Sequence, residues 1–186
     1  MKTADALLVV RRFDQAVDDA FGRLRGVPAA DRFFYALSEL ADFSLLWYVA
    51  AAAKSLNSDD EIRDLTRFAA LITAESVIVN GGIKSLFQRT RPEHNGPRPH
   101  RLRQPRTTSF PSGHASAAFT AAALLSEGSS VAPLWYGLAT VVAMSRIHVK
   151  IHHASDVVAG AAIGVGLGAV ATRVWPRAEW LRSPRG

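Results

Sequence analysis

Apolar residues gather along this chain into long blocks separated by short charged stretches. Residues 4–25 differ from the blocks that follow. There Ala6, Val9, Val10, Phe13, Val17, Ala20, Phe21 and Leu24 recur at helical spacing, with Arg11, Arg12, Asp14, Asp18, Asp19 and Arg25 between them. That pattern predicts an amphipathic helix, packed on the body of the protein, lying in a membrane interface, or both. Phe33–Ala53 is the first long apolar block. At about 1.5 Å per residue it can cross a hydrocarbon layer of about 30 Å, although Glu39 and Asp42 keep it from being a clean lipid-facing helix. A second block runs from about Leu65 to Phe87 and carries Glu75, Asn80 and Lys84. The third spans Ser112 to about Ser126, the fourth Val131 to about His148, and the fifth about Ala154 to Trp175. Pro133 falls in the first turn of the fourth, where a missing N–H costs nothing. The fold class that follows is all-α: an integral membrane bundle of about five transmembrane helices behind an N-terminal amphipathic helix.

Alternation of five spans makes a prediction about sides. Lys84 to Arg91 ends the second span, His114 starts the third, Arg146 ends the fourth and His152 starts the fifth. All then share one membrane face. Trp47 with Tyr48, Trp135 with Tyr136, and Trp175 fall at the other, as an aromatic belt requires. Gly160, Gly164 and Gly168 line one face of the fifth span, a ridge that lets another helix approach closely, either within the chain or from a second copy in a homo-oligomer. The long loop 93–110, rich in Pro and Arg (Asn95, Pro97 and Arg106 among its residues), joins two of these ends and is expected over whatever they hold.

Composition narrows the class. With 186 residues, the chain is expected to form one domain over 1–186. Its net charge of +6 suits an anionic membrane or an acidic substrate. Nucleic acid fits poorly, because the arginines flank apolar segments and no reading motif is present. There is no cysteine, which excludes disulfides, thiolate catalysis and cysteine metal sites. Residues 1–30 mix charge with apolar side chains, so no cleavable signal peptide is expected. All but seven of the 22 Lys and Arg fall on the side of the motif-bearing ends, and the positive-inside rule would put that side in the cytoplasm of a bacterial plasma membrane.

Three clusters carry candidate chemistry. They are Lys84 through Arg91-Pro92, then Pro111-Ser112-Gly113-His114, then Ser145-Arg146 followed by His152 and Asp156. Cations that hold a tetrahedral oxyanion, with one imidazole to attack and another to donate a proton, are what metal-free phosphoryl transfer needs. Ser112 stands where it can cap a helix whose free N–H groups favour an anion. His152 and Asp156, four apart on a helix, place a carboxylate beside an imidazole. Lys84 and Arg91, seven apart, share a side if the helix persists that far. Arg89 fits the simpler role of an interfacial anchor. A site with one carboxylate and surplus positive charge would repel a divalent ion, so neither metal nor cofactor is expected.

The pattern resembles the type 2 phosphatidic acid phosphatase (PAP2) family, which shares its phosphate pocket with vanadium haloperoxidases. The family motifs K-x6-R-P, P-S-G-H and S-R-x5-H-x3-D are each filled here, in order, between residues 84 and 156. The resemblance implies that Lys84, Arg91, Ser112, Gly113 and Arg146 bind the substrate phosphate. It implies that His152, oriented by Asp156, attacks phosphorus to give a phosphohistidine, and that His114 protonates the leaving alkoxide. His94, His100, His148 and His153 match no motif and are expected to be bystanders. Family substrates include phosphatidic acid, phosphatidylglycerol phosphate, diacylglycerol pyrophosphate, polyprenyl (pyro)phosphates and, in short bacterial members, a decaprenyl-linked phosphoribose. The implied partners are a lipid phosphate and the bilayer. A vanadate-dependent peroxidase and a non-catalytic scaffold for anionic lipid are the alternatives; the first family relatives are soluble and much larger, and the second leaves the histidine spacing unexplained.

Overall fold

A computed structural model of the chain describes residues 3–56, 60–94, 98–105 and 107–177; Asn95, Pro97 and Arg106 of the long loop lie outside the described residues. Every regular element among these is helical: α1 (Thr3–Gly22), α2 (Pro28–Leu40), α3 (Leu45–Ser55), α4 (Glu61–Ser76), α5 (Gly113–Ser126), α6 (Ala132–His148) and α7 (Ala154–Val174). The last three begin and end within about a residue of where the apolar blocks place them.

Helix α5 is the axis of the bundle. Ala115, Ala118, Ala121 and Ala122 are wholly buried, and these short side chains let α6 and α7 come close on two sides. The glycine ridge of α7 is the counterpart. A Cβ at Gly160 would stand 2.3 Å from the Ser112 carbonyl oxygen, and one at Gly164 would stand 2.3 Å from that of Ser116. Of the two packing roles open to it, the ridge takes the one within the chain, against α5. Gly164→Ala has to push backbone apart, and roughly 1–3 kcal/mol of overpacking is expected to lower the midpoint of thermal denaturation in detergent. Gly166→Ala, with nothing within 4 Å of the added atom, should leave it in place.

Three sequence expectations give way here. The block Phe33–Ala53 is not one helix: α2 and α3 meet at a bend of 64°. The break carries Phe43 and Ser44 at φ 54° and 59°, left-handed conformations that cost roughly 1–3 kcal/mol each in non-glycine residues. The second block starts earlier, at Glu61, and after Ser76 it loosens into a π-helical turn (Val77–Gly82) and tightens into a 3₁₀ turn (Ile83–Leu86). Helix thus stops five residues short of Arg91. Trp47, assigned to an aromatic belt, is 1% exposed and sits in the core with Phe68, Ile72 and Leu125. By length and apolarity α7 can cross a membrane, and the bent pair α2–α3 makes a second candidate.

Helix α1 docks through part of its apolar stripe. Val17 and Phe21 pack against Ala115, Ile147 and Val157, while Val9, Val10, Phe13 and Leu24 stay exposed. The residue that anchors the helix is Asp14, only 8% exposed. Its Oδ1 accepts the Ser155 N–H at 2.8 Å and its Oδ2 accepts the Ser155 hydroxyl at 2.9 Å, so a carboxylate caps the positive end of α7. Arg25 holds the other end by donating to the carbonyls of His148 (2.9 Å) and Ile147 (3.0 Å), satisfying the C-terminus of α6.

Candidate active site

The starts of α5 and α7, the end of α6 and the 3₁₀ turn after α4 meet at one end of the bundle. Ser112 caps α5 as the sequence implies, its Oγ accepting the Ala115 N–H at 3.4 Å. The Ser112 N–H donates to the Asp156 carbonyl at 3.0 Å and ties the start of α5 to that of α7. A Cβ at Gly113 would stand 2.5 Å from Asn80 Oδ1, the end of an exposed side chain that can swing aside. The first turn of α5 thus presents N–H groups with little side chain over them.

A cavity of 640 Å³ opens at this point. Lys84, Gly113, His114 and His152 line it, with Glu75 and Asn80 on one wall and Arg103, Gln104 and Thr107 of the long loop on another. The expected position of that loop over the site holds. It also supplies contacts no motif predicted. Arg91 reaches the site from an extended segment, where the carbonyls of Thr107 and Thr108 each accept from its Nη2 at 3.1 Å. Its Nη1 donates to the Ile151 carbonyl at 2.9 Å and lies 3.4 Å from His152 Nε2. The guanidinium therefore stands beside the ring nitrogen that faces away from Asp156.

Arg146 is wholly buried. Its Nη1 donates to the Ser38 carbonyl at 3.2 Å and to the Ser38 hydroxyl. Its Nε and Nη2 are buried with no hydrogen-bond partner. Two orphaned guanidinium donors are costly in a protein interior, and a bound oxyanion satisfies that geometry in bidentate fashion.

His152 lies in the turn between α6 and α7, 2% exposed. Burial pushes its imidazole down to about 3; the nearby Asp156 carboxylate pulls the other way, and Arg146, Arg91 and Lys84 add to the depression. The ring is neutral over the physiological range and keeps a lone pair for attack. The pairing with Asp156 is less direct than the i, i+4 spacing suggests. His152 Nδ1 is 3.7 Å from Asp156 Oδ2, an ion-pair distance too long for a hydrogen bond. Ser109 fills the gap: its Oγ donates to Asp156 Oδ2 at 2.6 Å and stands 3.4 Å from His152 Nδ1. The carboxylate is held further by the His153 N–H at 2.8 Å and Arg89 Nη1 at 2.6 Å.

Arg89 is accordingly no interfacial anchor. It bridges Asp156 and Asp14, both at 2.6 Å, linking the N-terminal helix to the site. Ser38, Asp42, Ser109 and Asp14 join the site without any signal from the motifs; His114 Nε2 is 2.8 Å from Asp42 Oδ1. The bystander histidines stay aside: His148 is buried against Asp31 at 2.8 Å and stacks on Phe34, and His153 caps α7.

The model of the PAP2 superfamily matches residues 65–180. Decaprenylphosphoryl-5-phosphoribose phosphatase of Mycobacterium tuberculosis is 33% identical over 139 residues, covering 74% of this chain and 76% of the relative. The protein of the same name from Mycolicibacterium smegmatis is 34% identical over 164 residues, covering 84% and 80%. In fold, the chain resembles the transmembrane PAP2 type phosphatidylglycerolphosphate phosphatase of Bacillus subtilis, with a TM-score of 0.71 over 96% of this chain and 90% of that one at 20% identity. It also resembles LpxE of Aquifex aeolicus, with a TM-score of 0.67 at 25% identity over 86% and 94%.

Proposed function

The chain belongs to the PAP2 superfamily of phosphatases, and from that premise we propose that it hydrolyses a polyprenyl-linked phosphomonoester without a metal, through a phosphohistidine. The observation that carries the reading is Arg146, whose Nε and Nη2 are buried without a partner and whose charge bears on the His152 ring. The names of the mycobacterial relatives support the polyprenyl part. A membrane setting, for which the likeness to a transmembrane phosphatase speaks, supports a multi-pass bundle whose cavity meets the lipid phosphate at headgroup depth.

In this mechanism Lys84, Arg91, Arg146, the Ser112 hydroxyl and the Gly113 N–H bind the phosphate oxygens. The lone pair of His152 Nε2 forms the bond to phosphorus while the bond from phosphorus to the ester oxygen breaks. His114 gives its proton to the departing alkoxide, which leaves as the alcohol. Water then attacks the phosphohistidine, its proton passing to His114, and the P–N bond breaks to release phosphate and regenerate neutral His152.

The test is phosphate release from phosphatidic acid, phosphatidylglycerol phosphate and decaprenylphosphoryl-5-phosphoribose, each with EDTA present. Activity on at least one is expected to survive EDTA and to be blocked by vanadate, which adopts the trigonal-bipyramidal shape of the phosphoryl group in transfer. Loss on chelation that magnesium or manganese restores overturns the metal-free mechanism, and release from none overturns the lipid substrate.

A further inference from the structure

Asp42 belongs to none of the motifs that point to the site, yet it touches one of the two imidazoles on which the chemistry turns. We propose that Asp42 is the positioning residue of His114: it accepts the Nε2–H, fixes the tautomer and direction of the ring, and holds the imidazolium while the other nitrogen serves the leaving group. The proposal rests on the phosphatase reading of this cavity.

Geometry comes first. Asp42 Oδ1 is 2.8 Å from His114 Nε2 and 3.9 Å from Arg146 Nη1, so its hydrogen bond goes to the imidazole and its longer-range attraction to the guanidinium. A carboxylate that takes one ring nitrogen leaves the other as the working one.

Charge comes second. The cavity brings Lys84 from the 3₁₀ turn and Arg103 from the long loop to the side of His114, and Arg146 stands behind it on α6. Glu75 lines the same cavity from α4. A general acid has to carry its proton into the reaction, and three neighbouring cations oppose that. Asp42 is the carboxylate in hydrogen-bond contact with the ring, and it stabilises the protonated form where the surroundings would expel the proton.

The backbone supplies the third line. Asp42 sits where α2 ends and the chain bends by 64° into α3. Phe43 and Ser44 take left-handed conformations there, at φ 54° and 59°, and neither is glycine. Such strain persists where surroundings over-determine it, and it concentrates at functional positions. At the break Asp42 meets the His114 ring in a hydrogen bond and the Arg103 guanidinium lies 4.4 Å over the Phe43 ring. The break removes Asp42 from the wall of a continuous helix and sets it against the first turn of α5.

During turnover Asp42 stays ionised. The proton that His114 loses to the alkoxide returns from the attacking water in the second half-reaction, so the carboxylate never gains or loses one. Its contribution is confined to steps in which His114 moves a proton.

That confinement gives the test. Asp42→Asn is compared with wild type on two substrates: whichever of phosphatidic acid, phosphatidylglycerol phosphate and decaprenylphosphoryl-5-phosphoribose the wild type cleaves fastest, and 4-nitrophenyl phosphate, whose phenolate leaves with little protonation. On the alkyl phosphate kcat is expected to fall about 100-fold with KM little changed, and on the aryl phosphate by no more than about threefold. His114→Ala should show the same split, and the double variant should be no slower than His114→Ala alone, because both residues serve one proton transfer. Equal losses on both substrates would make Asp42 a structural residue of the bend. An unchanged alkyl rate would remove it from the reaction altogether. A wild type that cleaves 4-nitrophenyl phosphate but none of the three lipids overturns the lipid reading and leaves the His114→Ala comparison on alkyl phosphates such as glycerol phosphate to decide Asp42; one that cleaves nothing overturns both.

Discussion

His152→Ala is expected to stop turnover outright, with kcat down at least about 10⁴-fold, because without its imidazole no bond to phosphorus can form. The variant should remain folded. The ring it loses is neutral and makes no hydrogen bond shorter than 3.4 Å, so the cost is that of a small cavity beneath Arg91. Phosphate binding should survive, since Lys84, Arg91, Arg146 and the start of α5 are untouched, and vanadate or phosphate should still raise the thermal midpoint in detergent. The decisive measurement is acid-labile phosphate trapped on the protein after quenching with a radiolabelled substrate. Wild-type levels on His152→Ala would take the nucleophile away from His152 and send the search to the other ring in the cavity, His114.

The next largest loss is expected from Asp156→Asn. Asp156 is wholly buried and accepts from the Ser109 hydroxyl at 2.6 Å, from the His153 N–H at 2.8 Å and from Arg89 at 2.6 Å. An amide of the same shape keeps one acceptor and turns the other position into a donor. Whichever way it sits, one of these donors faces an N–H₂ group. With the amide nitrogen at the Oδ2 position the Ser109 hydroxyl loses its acceptor, turns and gives its proton toward His152 Nδ1, which selects the tautomer whose lone pair points away from the phosphate; with it at Oδ1 the N–H₂ opposes Arg89 and loosens the carboxyl end that orients the ring. A fall in kcat of about 10³–10⁴-fold with KM changed only a few-fold is the expected signature of a wrong tautomer. A near-normal kcat would reduce Asp156 to the N-terminal cap of α7. Ser109→Ala makes a useful companion, because it removes the bridge and leaves the charge.

How much of this was legible in the sequence depended on whether a signal was local. Helices α5, α6 and α7 were, because Ser112, Pro133 and the apolar runs behind them are short-range instructions that the fold obeys. The three motifs were legible too, and the structure brings Lys84, Gly113, His114 and His152 to one cavity. The bend at Asp42 was not. No glycine or proline marks it, and the contacts made there, Asp42 with His114 of α5 and Phe43 with Arg103 of the long loop, lie far along the chain. Arg89 looked like a surface cation because its two carboxylate partners, Asp14 and Asp156, lie 75 and 67 positions away. The relation of Lys84 to Arg91 was misjudged for a different reason. The paired glycines Gly81 and Gly82 sit in a π-helical turn, and the helix that would have aligned the two cations ends at Leu86.

The contact between Asp14 and Arg89 bears on how this enzyme can be cut and recombined. The family model begins at residue 65, and every motif lies inside it. The supporting contacts do not: Asp14 holds the arginine that holds Asp156, Ser38 holds Arg146, and Asp42 holds His114. A chimera that joins residues 65–180 to the leader of another family member would keep the whole signature and lose these three supports. Swaps meant to exchange substrate preference are therefore expected to keep more activity when residues 14–44 travel with residues 65–180 than when they are left behind.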